Sequence, residues 1–161
     1  MKIFNSLIIT ITLTFSSLAF SKPLYMFISH ASVGAASGVF WQAVKKGMED
    51  ACELYDADCQ MVYLQSEDGN IGEEIANFNS AIAAGADGIA TTIYDDITWD
   101  DPIDDALSEG INVISYNIDD ENTPNNRQAY IGQSLRVAGY DLMADLNKRF
   151  LPQEGPLHIL I

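Results

Sequence analysis

KPLYMFISHASVGAASGVFWQAVKKG, residues 22–47, sets the architecture of this chain. The segment joins a short apolar strand, a loop of small polar residues and an amphipathic helix that opens with an aromatic pair. This succession predicts the first βα unit of a parallel sheet whose strand end faces a ligand. The pattern favours a ligand-binding function over a catalytic one.

The same succession repeats along the rest of the chain. Strands are predicted at residues 25–29, 60–64, 88–93, 112–116 and 129–131, and helices at about residues 40–55, 71–84, 102–109 and 134–150. Strands that alternate with helices over short connections specify a parallel sheet with right-handed crossovers. The predicted fold class is therefore α/β, a three-layer Rossmann-like sheet with helices on both faces. The carboxyl ends of its strands bring His30, Thr92 and Asn117 to one edge.

The first predicted helix carries an apolar stripe at helical spacing, formed by Phe40, Val44, Met48 and Ala51. This stripe is expected to face the core. Trp41 lies one step round the helix and is expected to be freer for a ligand than Phe40.

The ends of the next two helices also carry sequence signals. Gly85 ends the second helix as a left-handed cap. The buried stripe of that helix is expected to comprise Ile75, Phe78 and Ile82. Asp101 is expected to cap the third helix, with Pro102 at its first position.

Residues 1–21 have the layout of a secretory signal. A Lys near the start precedes an apolar run, and small residues at Ala19 and Ser21 favour cleavage near Ser21. A permanent membrane span is the weaker interpretation, because the apolar run is short and carries several Ser and Thr. No Cys lies directly after the apolar run, which argues against a lipid anchor there. The remaining chain is expected to be exported.

The formal net charge of −15 argues against a nucleic-acid partner. Phosphate backbones are bound by clusters of Lys and Arg, and Lys45 with Lys46 is the only basic pair in the early part of the chain. The acid excess is interpreted as a solubilising surface.

Cys52 and Cys59 are spaced for a local disulfide between a helix end and the following strand. The chain-entropy estimate for so small a loop is about 2.5 kcal/mol. No metal site is expected here, because neither His nor further Cys lies nearby.

Five segments in register carry a resemblance to a known family. They are FISH, GVFWQAVKKGMEDAC, AIAAGADGIATTIYDD, ALSEGINVISYNID and AYIGQSLRVAGYDLMADL. Together they resemble the N-terminal lobe of the periplasmic sugar-binding proteins of ATP-binding-cassette importers, the type I or ribose-binding-like periplasmic binding proteins. The resemblance covers residues 25–161.

This resemblance implies a division of the chain and a location. Residues 22–131 are expected to form the N-terminal ligand-binding lobe, and residues 132–161 the crossing helix and first strand of an incomplete second lobe. The chain is accordingly expected to be a fragment or a truncated product. An isolated lobe offers one wall of a cleft, so weak or absent ligand binding is expected. The implied location is the periplasm.

The resemblance also implies site residues. Phe40 and Trp41 fall where the family places a ring pair against the apolar face of a sugar, and aromatic planes suit such a face. Thr92 and Asn117 fall at positions that hydrogen-bond the ligand, and Asp119 is a substitute for the family's acid after strand four. The remaining candidates are His30, Ser32, Ser37, Gly38, Tyr94 and Trp99.

Several of these residues have an alternative interpretation. Phe40 also fits the buried stripe of its helix, and Asp119 also fits a solvated loop acid. His30 also fits a partly exposed loop histidine. Tyr94 and Trp99 either line the rim of the cleft or cover a helix end.

The functions implied are capture of a sugar or polyol for a membrane permease, or presentation of a bound sugar or signalling molecule to a chemoreceptor or sensor kinase. No cofactor is expected. A secreted hydrolase is disfavoured, because the sequence lacks a G-x-S-x-G motif, zinc spacing and a phosphate loop. The acid pairs at Asp95 with Asp96 and Asp100 with Asp101 are interpreted as helix-capping groups. A DNA-binding repressor is excluded by the signal-like N-terminus.

Overall fold

The computed structural model describes residues 21–95, 97–120 and 125–150. Its strands are β1 (Leu24–Ser32), β2 (Asp58–Leu64), β3 (Gly88–Thr91), β4 (Asn112–Asn117) and β5 (Ala129–Gly132). Its helices are α1 (Val39–Leu54), α2 (Ile71–Ala83), α3 (Asp100–Ser108) and α4 (Leu135–Phe150), and a 3-10 turn at Ala35–Ser37 precedes α1. The expected secretory signal, apart from Ser21, lies outside the described residues. So does the expected first strand of the second lobe.

The strands form one parallel sheet in the order β2-β1-β3-β4-β5. The order reverses at β1, which pairs with β2 on one side and with β3 on the other. In open parallel sheets, ligands bind outside the carboxyl ends of the strands at such a reversal. A ligand site is therefore expected at the residues that follow β1 and β3.

Helices cover both faces of the sheet, as predicted. On one face α2 and α3 enclose the larger core, in which Ile28, Phe78, Ile89 and Trp99 are buried. On the other face Trp41 of α1 packs with a smaller cluster, comprising Ala31, Ala90 and Tyr116. The predicted three-layer α/β class is confirmed.

The predicted apolar stripe of α1 is confirmed at Val44 and Met48 and wrong at Phe40 and Ala51. Phe40 is 54% exposed and Ala51 is exposed, whereas Trp41 is only 8% exposed and Met48 is buried. The helix follows an extended N-cap at Gly38, and the direction in which it begins turns positions 41, 44 and 48 toward the sheet. The aromatic pair is thus divided, with Trp41 in the core and Phe40 facing outward.

The predicted cap of α3 is also wrong. The helix starts at Asp100, so Asp101 lies in its first turn and Pro102 at its third position. Trp99 occupies the N-cap position, where its side chain is fully buried against Phe78 at a ring-centroid distance of 5.4 Å. The burial of this large side chain fixes where the helix begins. By contrast, the predicted left-handed cap of α2 at Gly85 is confirmed, with φ of +72°.

Two negative observations apply to the described ranges only. None of the helices there is long and apolar enough to cross a bilayer. The same residues contain no group of three or more His, Cys, Asp or Glu side chains suited to a metal ion.

Cys52 at the end of α1 and Cys59 of β2 are bonded in the structure, with Cα atoms 6.2 Å apart. Replacing both by Ser is expected to lower the free energy of unfolding by about 2.5 kcal/mol, because the open chain gains loop entropy. Urea unfolding followed by circular dichroism measures this change. A reducing agent is expected to lower the wild-type value to that of the double variant and to leave the variant unchanged. A wild-type stability that is indifferent to reductant contradicts the prediction.

Candidate functional site

The carboxyl ends of β1, β3 and β4 place His30, Thr92 and Asn117 along one edge of the sheet, as predicted. The neighbouring strands are held in register there, with Ile28 beside Thr91 and Thr91 beside Ser115. Side chains from α1 and from the loop after β3 complete this edge. The edge therefore combines rings with hydrogen-bonding groups.

Four rings form a continuous series, Tyr94, His30, Trp41 and Phe40, which we term the aromatic wall. Their successive centroids are 5.7, 5.5 and 5.0 Å apart, and each pair meets edge to face. This arrangement matches the preference of aromatic quadrupoles. Burial lowers the pKa of His30 against the opposing pull of the Asp68 carboxylate. The imidazole is therefore neutral at pH 7, and it packs as an aromatic ring.

Phe40 and Asn117 line a common cavity of about 600 Å3 at the edge of the sheet, which we term the edge cavity. Its other lining residues are Phe27, Val44, Ala90, Ile114, Tyr116, Ile131, Gly132, Gln133 and Leu135. Asn117 ends β4 in the left-handed region at φ of 64°, a conformation that Asn tolerates better than most residues. Its carbonyl accepts a hydrogen bond from the Tyr130 hydroxyl at 2.8 Å. The predicted ring and the predicted amide are thus brought to one apolar cavity.

Thr92, a candidate for hydrogen bonding to the ligand, is not among the residues that line the edge cavity. Its side chain is fully buried, where Oγ1 accepts a hydrogen bond from the His30 backbone N–H at 3.0 Å. The same hydroxyl donates its proton to Glu74 Oε1. A hydroxyl engaged in both directions has little capacity left for a ligand. In the described structure Thr92 links β1, β3 and α2.

Of the two expectations for Asp119, the solvated loop acid is wrong, and the role as a ligand group stays a prediction. The side chain is 7% exposed, so it is not a solvated loop acid, and Oδ2 lies 2.6 Å from Nη2 of Arg127. The guanidinium also donates to Ser115 Oγ at 3.1 Å and to Asn125 Oδ1 at 2.8 Å. The Asp120 carbonyl accepts from Nη2 at 2.9 Å. Asp119 therefore anchors the loop after β4, and its expected role as a ligand group gains no support.

The remaining candidates from the sequence mostly make local structural contacts. The Ser32 backbone N–H donates to Asp68 Oδ1 at 2.7 Å, and Gly38 is the N-cap of α1. The Ser37 hydroxyl is 3.5 Å from the Gly34 carbonyl. Trp99 covers the start of α3 inside the core, so of the two loop aromatics only Tyr94 belongs to the wall.

Two charged residues were missed from the sequence, the buried Glu74 and the half-buried Arg127. Glu74 is fully buried, and burial raises its pKa to about 7 although hydrogen bonds, first from Thr92, favour the ionised form. It lies four residues before Phe78 and thus on the buried face of α2, a relation visible in the sequence. Arg127 had a weaker signal, a lone cation in an acidic loop region.

The described acids of the two predicted pairs hold the loop after β3 or lie in the first turn of α3, and none of them caps that helix through a side-chain hydrogen bond. The Asp95 carboxylate accepts hydrogen bonds from the backbone N–H groups of Ile97 and Thr98, at 3.0 and 2.7 Å. Hydrogen bonds, first from the Thr98 hydroxyl, lower the pKa of Asp95. Asp100 and Asp101 lie in the first turn of α3, where a negative charge interacts favourably with the helix dipole. Asp96 lies outside the described residues.

Comparison with known proteins agrees with this fold. A family described as periplasmic binding protein domain matches residues 31–160. The xylose/arabinose-binding protein XylF of Sulfolobus acidocaldarius is 32% identical over 122 residues, which make up 71% of this chain and 29% of XylF. The chain thus spans less than a third of that relative.

Solved structures show the same lobe. A periplasmic sugar-binding protein of an ABC sugar transporter from Legionella pneumophila superposes with a TM-score of 0.71 at 23% identity, over 79% of this chain and 45% of that one. XylFII, also solved as a XylFII-LytSN complex, has a TM-score of 0.69 at 25% identity, over 81% and 45%. The fold and the matched residues lead to one conclusion: the chain belongs to the periplasmic binding protein family.

Proposed function

We propose that this chain forms the N-terminal lobe of a sugar-binding protein that works in the periplasm. The observation that carries the proposal is the edge cavity, where the exposed Phe40 ring and Asn117 meet at the carboxyl edge of a family lobe. In this proposal residues 22–131 form the ligand-binding lobe and residues 132–161 lead into a second lobe. None of the sixteen residues of α4, all of them described, is buried, which fits a helix that packs on something else.

The chemistry of the edge cavity suits a sugar. The C–H face of a sugar ring packs on an aromatic plane, and its hydroxyls require planar donors and acceptors. Phe40 supplies the plane, and the Asn117 side chain supplies both a donor and an acceptor. Trp41 contributes from behind by supporting Phe40.

Delivery of the sugar to an ABC permease is the proposed role, and it rests on the family of the lobe. A second candidate, presentation of the bound form to a membrane sensor, is favoured by a different observation. XylFII forms a complex with LytSN, so a protein with this lobe assembles with a partner protein. We propose no catalytic step, because Asp95 is engaged by loop backbone groups, Asp119 pairs with Arg127, and Asp100 and Asp101 lie in the first turn of α3.

Export fits the covalent structure of the lobe. A disulfide between Cys52 and Cys59 persists in an oxidising compartment and is reduced in a bacterial cytosol. We therefore place the protein in the periplasm after removal of residues 1–21.

Titration with D-xylose and L-arabinose, followed by amide chemical shifts, tests the proposal. One wall of a cleft buries a ligand incompletely, so binding by this chain is expected to be weak, with a Kd of about 1 mM. The shifts are expected to concentrate around Phe40 and Asn117. Phe40→Ala is expected to abolish them, whereas Val39→Ala, an exposed neighbour outside the edge cavity, is expected to leave them unchanged.

Two outcomes contradict this picture. Absence of shifts at the edge with these pentoses and with a panel of hexoses removes the sugar site. Calorimetric binding of a sugar with a submicromolar Kd by this chain alone removes the requirement for a second wall.

A further inference from the structure

Glu74 is a buried acid that the proposed sugar site does not use. Its side chain is fully buried on the inner face of α2, and its Oε1 accepts the proton of the Thr92 hydroxyl. Its second oxygen, Oε2, makes no hydrogen bond of ordinary geometry within the described part of the chain, although the Tyr94 hydroxyl lies close enough to favour the ionised carboxylate and so to lower the pKa of Glu74. Burial of a carboxyl group lowers the stability of a protein unless hydrogen bonds compensate for it. The hydrogen bonds of Glu74 lead to the edge of the sheet.

The direction of each hydrogen bond connects Glu74 to β1. The His30 backbone N–H can only donate, and it donates to Thr92 Oγ1 at 3.0 Å. The Thr92 hydroxyl must then direct its own proton elsewhere, and Glu74 Oε1 accepts it. An acceptor at position 74 therefore keeps a lone pair of Thr92 aimed at His30.

The contact continues from His30 to the surface. The His30 ring packs on Trp41 at 5.5 Å, and Trp41 packs on the exposed Phe40 ring at 5.0 Å. Tyr94, at the other end of the aromatic wall, also senses Glu74. Burial raises the pKa of Tyr94, and the neighbouring Glu74 charge raises it further.

We propose that Glu74 is a positioning residue of the site, holding the aromatic wall in place by way of Thr92 and His30. The role assigned to the wall rests on the proposed sugar-binding function. The positioning itself is a property of the lobe without ligand, and it is measured without sugar. Its failure is therefore distinct from a failure of the sugar titration.

The first test is amide hydrogen exchange of this chain, read at His30 and at Phe27 in the middle of β1. Glu74→Met removes the acceptor, and the His30 amide is expected to exchange up to about tenfold faster, the effect of losing one hydrogen bond. The Phe27 amide is expected to change much less. Glu74→Gln keeps an acceptor oxygen and is expected to restore protection at His30.

The second measurement follows the exposed end of the wall. The neighbouring Trp41 ring imposes a ring-current shift on the Phe40 ring signals, which aromatic carbon labelling resolves. This shift is expected to shrink in Glu74→Met and to recover in Glu74→Gln. Ile82→Ala, two turns along α2 and packed against the same core, serves as a control for general loss of stability.

A double-mutant cycle with Thr92→Val completes the test. If Glu74 acts through Thr92, the double variant Glu74→Met/Thr92→Val exchanges at His30 no faster than the faster single variant. Additive effects of the two changes overturn the proposal. The proposal is also overturned if Ile82→Ala changes the His30 exchange rate and the Phe40 ring-current shift as much as Glu74→Met does. Both changes would then reflect a general loss of stability.

Discussion

Arg127→Ala is expected to lower the free energy of unfolding by about 3–5 kcal/mol, the cost of leaving one buried partner of an ion pair alone. The Arg127 and Asp119 side chains are 10% and 7% exposed, and their closest nitrogen and oxygen lie 2.6 Å apart. Asp119 Oδ1 already lacks a partner within the described residues. Loss of the guanidinium therefore leaves a buried carboxylate without any partner among them. Urea unfolding followed by circular dichroism measures the change.

A matched control is available on α4. Arg149 pairs with Asp145 at 2.8 Å, but its side chain is 66% exposed. Exposed pairs of this kind contribute about 0.5 kcal/mol or less, so Arg149→Ala is expected to change the stability little. Arg127→Lys separates charge from shape, because an ammonium group cannot replace the planar fork that also holds Ser115 and Asn125. Equal losses in Arg127→Ala and Arg149→Ala refute the assignment of a buried anchor.

Glu74→Gln is expected to stabilise the protein at pH 8 by about 3 kcal/mol and to have little effect at pH 4.5. The pKa of Glu74 is about 7 in the folded chain and 4.5 in the absence of burial. The folded state thus binds more protons between these values, and stability falls as the pH rises from about 4.5 to about 7. Gln carries no charge to desolvate, so the variant lacks this loss. Thermal or urea unfolding at a series of pH values measures the difference.

Glu73 provides a control of opposite sign on the adjacent residue. Hydrogen bonds, first from the Ser66 hydroxyl and then from the Gln65 backbone, lower its pKa below 4.5. Its contribution to stability is present above pH 4.5 and lost as the pH falls through the lowered pKa. Glu73→Gln is therefore expected to destabilise at neutral pH, where Glu74→Gln stabilises. A common sign for the two variants contradicts the assigned environments.

The sequence was sufficient for the order of strands and helices because apolar runs, turn residues and caps are local signals. Gly85 is an example, since its left-handed conformation follows from its residue type and position. The environments of the two rings that open α1 were not predictable in this way. Phe40 and Trp41 are both large and apolar, and the direction from Gly38 decides which of them enters the core. A register error of one residue reverses their environments.

The sequence predicted where the candidate site lies, at the carboxyl edge of the sheet. It predicted less well which side chains face that site. Asn117 reached the cavity because a strand end fixes it. Thr92 and Asp119 were assigned to the ligand by their positions in the family resemblance, but partners elsewhere in the sequence, Glu74 and Arg127, engage them. Such pairings join residues far apart in the chain, and a single sequence does not reveal them.

The central place of β1 has a consequence for how the chain acquires its fold. Its two neighbours, β2 and β3, come later in the sequence, each after a helix. Parallel pairing requires these crossovers, so β1 stays unpaired until residue 58 and half-paired until residue 88. Chains dominated by such distant contacts fold slowly. The central strand therefore keeps one edge open while residues 58–87 are added, and pairing with β3 is expected to complete the centre of the sheet.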